Sequence, residues 1–94
     1  MDIARSDIVR SIAGRDAGRL FFVLDADDEF LMLADGKTRR LEAPKRKKRK
    51  HTEFVERSVC RVAEKIRSEE KVTNSELRRT LAEYSEDGNP DQEG

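Results

Sequence analysis

The sequence predicts a mainly β fold followed by a C-terminal helical part, and three observations carry that expectation. Residues 7–41 contain short apolar runs of alternating character, broken by glycine and aspartate. Six consecutive cations, Lys45-Arg46-Lys47-Lys48-Arg49-Lys50, follow Pro44. Beyond them the apolar spacing changes from that of a strand to that of a helix.

Taken in order, residues 7–13 make a first strand, and residues 14–18 a turn bounded by Gly14 and Gly18. Residues 19–25, rich in Phe, Leu and Val, make a second strand. Residues 26–28 are a polar turn and residues 29–34 a third strand. Asp35-Gly36 is a hairpin signal, because the tight turn needs the positive φ that Asp and Gly tolerate. Residues 37–41 then form a fourth strand. Short antiparallel strands in so few residues bury a common face only by curling over, so residues 1–43 are expected to form a small, partly open barrel. Residues 44–51 read as a basic linker, kept extended by self-repulsion.

Val55, Val59, Val62, Ala63 and Ile66 lie at helical spacing and give one apolar stripe. A second helix has a marked start: Thr73 and Glu76 fit a capping box, and Val72 and Leu77 occupy the staple positions around it. Leu77, Leu81 and Tyr84 continue its apolar face, so residues 52–84 read as a helical hairpin. Residues 85–94, with Gly88, Pro90, Gly94 and four acids, read as a disordered acidic tail.

Of the 94 residues, 43% are charged, against about 25% in a typical soluble domain, so the core must be small. The formal charge is zero but unevenly placed: residues 1–51 carry +4, residues 52–94 carry −4, and residues 37–51 alone carry +8. Such asymmetry points to a polyanionic partner. The N-terminus is interrupted by Asp2, Arg5 and Asp7, and no wholly apolar run is longer than the five residues 20–24. No export signal or membrane span is therefore expected. The one cysteine, Cys60, allows no intrachain disulfide, and a cytoplasmic location is expected.

The most informative stretch is Val9-x-Ser11-x-Ala13-Gly14-Arg15-Asp16-x-Gly18-Arg19-x-Phe21-x-Val23. Residues two apart share a strand face, so Val9, Ser11 and Ala13 can line the same core as Phe21 and Val23. Backbone N–H groups beside Gly14 and Gly18 can approach a phosphate closely, and the turn holds up Arg15 and Arg19. The stretch resembles the KOW motif of large-subunit ribosomal proteins and transcription elongation factors. Together with Leu33-Ala34-Asp35-Gly36-Lys37 and Pro44-Lys45-Arg46-Lys47-Lys48, it is similar to small bacterial KOW-domain RNA-binding proteins over roughly residues 3–51. The resemblance implies an SH3-like β-barrel that contacts RNA, often ribosomal RNA, with the 14–18 loop as a contact surface. The motif's key glycine falls on Gly18 or Gly14. Ile12 departs from the pattern, where a basic or polar residue is expected.

The expected RNA-binding residues are Gly14, Arg15, Gly18 and Arg19 of the loop, Lys37, Arg39 and Arg40, the run Lys45, Arg46, Lys47, Lys48, Arg49 and Lys50, and His51. Six engaged phosphates imply a log–log salt slope of roughly −4 to −5. Phe21, Phe22, Phe30, Phe54 and Tyr84 fit core packing better than base stacking, so backbone and shape recognition is expected over sequence reading. Cys60 reads as a small buried thiol. The acids Asp25, Asp27, Asp28 and Glu29 read as a solvated turn. With no Cys/His set and no Gly-Lys-Ser/Thr loop, neither catalysis, a metal, a cofactor nor a small-molecule substrate is expected. The expectation is a non-catalytic RNA-binding protein acting in translation or ribosome assembly, with ribosomal proteins as further partners. The alternative is an SH3-like interaction module that docks on a translation or transcription partner.

Overall fold

Near-continuous apolar sequence in the second strand, Leu20-Phe21-Phe22-Val23-Leu24, requires a sheet covered on both faces, because successive side chains point to opposite sides. The computed structural model, which describes residues 2–85, has that arrangement. Strands β1 (Ile8–Ser11), β2 (Leu20–Ala26), β3 (Phe30–Ala34), β4 (Lys45–Lys48) and β5 (Thr52–Glu56) form one antiparallel sheet in the order β4-β3-β2-β1-β5. Helices α1 (Arg61–Arg67) and α2 (Asn74–Ser85) follow. Among the described residues no helix is long and apolar enough to cross a membrane.

One face of the sheet gathers Val9, Phe21, Val23, Leu31 and Leu33, with Ile3 closing the end. The other gathers Ile8, Phe22 and Ala34 beneath Val62, Ala63 and Ile66 of α1 and Leu77 and Leu81 of α2. Val9 pairs with Phe21 and Ile8 with Phe22, so each face is matched across the ladder. Phe21 and Phe22 are both wholly buried, one in each cluster.

The sheet is curled. Its edge strands β4 and β5 are consecutive in sequence, joined only by one 3-10 turn, Arg49–His51. Four inter-strand spacings of about 4.8 Å would put the edges of a flat sheet about 19 Å apart. The four residues from Lys48 to Thr52 span at most about 14 Å. Curling also lets Lys47 on β4 reach past β1, where its Nζ donates to the Ala13 carbonyl at 2.9 Å.

Strands β1 to β3 lie where the sequence places them. The expected fourth strand over residues 37–41 does not form, because both ends of that segment are otherwise engaged. The Asp35 carboxylate accepts hydrogen bonds from Lys37 N, Arg39 N and the Thr38 hydroxyl, folding the segment on itself. Gly36 (φ +79°) seats against the start of α2, and Leu41 N donates to the Asn74 side chain at 2.8 Å. The fourth strand is instead Lys45–Lys48, so residues 44–51 are not a linker and residues 1–43 are not a separate domain. Residues 52–56 are a strand and not the start of a helix, since Val9, Arg10 and Ser11 of β1 offer them a ladder. The apolar stripe of α1 consequently begins at Val62, and Val59 is 77% exposed.

The start of α2 matches expectation. Thr73 N donates to Glu76 Oε1 at 2.9 Å and Glu76 N to Thr73 Oγ1 at 3.2 Å, a reciprocal capping box. Val72 and Leu77 pack in the same cluster. The expected tail lies outside the described residues, except for Ser85, the last residue of α2.

Candidate nucleic-acid interface

Antiparallel pairing of β1, β2 and β3 puts the 12–19 loop and the 35–44 loop at one end of the sheet. The first is closed by Gly18 N donating to Ser11 O (2.7 Å) and Ser11 N to Arg19 O (2.9 Å). Gly14 (φ +86°) and Gly18 (φ +95°) hold the left-handed backbone that the tight loop needs. Arg15 and Arg19 are exposed on it, and Lys37, Arg39 and Arg40 are exposed on the second loop.

Asp16 organises the first loop. Its Oδ1 accepts from the Ser11 hydroxyl at 2.6 Å and from Lys47 Nζ at 3.0 Å. Lys45 Nζ lies 3.3 Å from Oδ2, an ion pair outside hydrogen-bond geometry, and Oδ2 accepts no other bond. Burial pushes this carboxyl up, but the Ser11 hydroxyl and the Lys47 and Lys45 ammonium groups outweigh it and hold it well below the usual carboxylate range. Sequence reasoning missed this role. The available signal was the strand alternation of Lys45 and Lys47, which puts two ammonium groups on the inward face and demands a buried acid.

The basic run is therefore divided. Lys47 is buried and Lys45 half-buried, both committed to Asp16. Arg46, on the outer face, stacks its guanidinium 3.6 Å from the centroid of Phe30. Arg49 donates to the Asp27 carbonyl (2.7 Å) and the Ile3 carbonyl (2.8 Å). Lys48 and Lys50 line a cleft with Asp28 and Glu29, beside an acidic turn. That turn is built by Asp27, whose Oδ1 accepts from Glu29 N and Phe30 N, bonds that lower its pKa. His51 is half-buried and its carbonyl accepts from Ile12 N. The six cations of the run are thus not all presented to solvent.

What the fold does bring together is Arg15, Arg19, Lys37, Arg39 and Arg40. Of the three acids on these loops, Asp16 and Asp35 are engaged as described, and exposed Glu42 accepts from the Asn74 side chain at 2.9 Å. Arg78 of α2 joins this end, donating to the Gly36 carbonyl at 2.7 Å, and nothing in the helical pattern singled it out. Ile12 is 52% exposed beside the loop. Half-buried Cys60 precedes α1 and accepts a contact from the Ser58 hydroxyl at 3.0 Å. No known family's sequence model matches the chain, and no curated protein is significantly similar to it.

Proposed function

We propose that this is a non-catalytic RNA-binding protein of the KOW type, its curled sheet closing as an SH3-like barrel, acting on ribosomal RNA in translation or ribosome assembly in the cytoplasm. The observation that carries the reading is the pair of internally braced loops. They present five exposed cations at one end while the acids between them are bonded within the fold. Rigid loops offer phosphates a fixed array of charge without the entropy cost of ordering long side chains on mobile backbone. The resemblance of residues 3–51 to KOW-domain RNA-binding proteins supports the same reading. So does the three-residue connection between the edge strands, which suits a closed sheet.

The test is RNA affinity against salt. Five engaged phosphates give a log–log slope of roughly −3.5 to −4.5. Replacing Arg15, Arg19, Lys37, Arg39 and Arg40 with Gln should remove most of that slope. Replacing Lys48 and Lys50 should remove little. Equal losses from both sets, or none from the first, refute the assignment. In-cell crosslinking then identifies the RNA: reads at a few large-subunit positions support a ribosomal role, and reads spread over messenger RNA refute it.

A further inference from the structure

The two loops and α2 enclose a groove of about 430 Å³ lined by Gly18, Arg19, Leu20, Lys37, Arg78 and Leu81, with Asp35 and Ala82 completing its wall. Its size falls within the roughly 300–1,000 Å³ range of small-molecule sites. Three cations converge here from three separate elements. The one acid, Asp35, is 8% exposed and already accepts three hydrogen bonds from its own loop, so the groove keeps a net charge of +2. Arg78 is held in place by the Gly36 carbonyl (2.7 Å) and the Ser75 hydroxyl (3.0 Å), which use NH1 and NH2 and leave further donors on the same fork. Arg19 and Lys37 have no hydrogen bond or ion pair through their side chains among the described residues. The remaining wall, Leu20 and Leu81, is apolar and belongs to the cluster between sheet and helices.

We propose that this groove is a nucleotide subsite in which Arg19, Lys37 and Arg78 bind a phosphate and Leu20 and Leu81 carry the attached nucleoside. The inference rests on the RNA-binding reading and adds α2 to the interface. A cationic rim alone binds any polyanion; an apolar wall beside a fixed arginine favours an unstacked nucleotide over bare phosphate.

The experiment titrates the full chain with adenosine monophosphate and, separately, inorganic phosphate, following backbone amide shifts by NMR. Shifts clustered at Gly18, Lys37 and Leu81, with the nucleotide binding at least tenfold tighter than phosphate, are expected. Lys37→Gln, which removes a side chain with no bond among the described residues, should weaken the nucleotide at least fivefold. Arg78→Gln should do so about tenfold, and Arg79→Gln, outside the groove, less than twofold. Equal affinity for nucleotide and phosphate, shifts centred elsewhere, or no effect of Lys37→Gln overturns the subsite. The two readings fail separately. Wild-type protein that binds RNA but is indifferent to Lys37→Gln and Arg78→Gln refutes the groove alone. Nucleotide binding in the groove without affinity for RNA refutes the RNA reading alone.

Discussion

Substituting Gly36 by Ala should destabilise the protein far more than the same change at Gly18, although both have positive φ. At Gly18 (φ +95°) an added Cβ meets nothing within 4 Å, so only the backbone term applies, about 1–2 kcal/mol for a left-handed non-glycine residue. At Gly36 (φ +79°) the same term applies, and the new Cβ also overlaps the Asn74 carbonyl and comes 3.1 Å from Leu77 Cβ. Neither neighbour is the end of a flexible side chain: one is backbone and the other is fixed on a helix. The start of α2 must shift, which costs about 1–3 kcal/mol as an overpacked site. It also strains the Asn74 bond to Leu41 N and the Arg78 bond to the Gly36 carbonyl. The total is about 2–5 kcal/mol, a large part of the roughly 4–13 kcal/mol expected for a domain of this size. Urea unfolding followed by circular dichroism measures both variants. With a slope of about 1 kcal/mol per molar, the Gly36→Ala midpoint should fall by about 2 M or more and that of Gly18→Ala by about 1–2 M. A difference between the variants below about 0.5 kcal/mol would mean that Gly36 serves a simple hairpin turn, and the docking of this loop on α2 would be wrong.

Asp16→Asn should cost about 2–4 kcal/mol, because it leaves the buried Lys47 ammonium without its anion. The wild-type carboxyl has a lowered folded pKa, so its contribution is full above about pH 4 and is lost as pH falls through the folded value. The variant should therefore show a flatter acid limb in stability measured from pH 5 downward, and an unchanged limb refutes the clamp. Thr73→Ala should lose about 1 kcal/mol with its capping hydroxyl, and a loss below about 0.3 kcal/mol in thermal unfolding would show the box to be idle. Glu69 ends α1 at φ +59°, and Glu69→Gly should stabilise by about 0.5–1 kcal/mol even though it gives up the exposed ion pair with Arg5. A lower unfolding midpoint would show that the ion pair outweighs the backbone.

The parts of the fold legible in the sequence are those specified by near neighbours. The first three strands announce themselves by alternation, and Thr73 and Glu76 by a spacing of three. The basic run was misread because its self-repulsion is local while its counter-charge, Asp16, lies about thirty residues earlier in the chain. Residues 52–56 were misread because Val55 sits by coincidence at helical spacing from Val59 and Val62, whereas β1 supplies a ladder that no local pattern reveals. The glycine loop and the cations after Asp35-Gly36 were legible as candidates. Their convergence with Arg78 was not, since it depends on the seat of Gly36 against α2.

That seat changes the standing of the helical half. If α1 and α2 were an appendage to a self-sufficient barrel, the sheet face toward them would be polar. It holds Ile8, Phe22 and Ala34, all fully buried under Val62, Ala63, Ile66, Leu77 and Leu81. Burying Phe22 alone is worth about 1.5–3 kcal/mol, and exposing that face would forfeit this several times over. Residues 52–56 complete the sheet beside β1, and Arg67 of α1 donates to the Ser6 hydroxyl and the Ser58 carbonyl, tying both halves to the N-terminal segment. Truncation at residue 51 thus removes an edge strand and one whole side of the core. Loss of the proposed RNA binding in such a fragment would report unfolding and not the removal of a contact. The contribution of the helices to the proposed recognition is separable only by point changes, such as Arg78→Gln, that leave both apolar clusters intact.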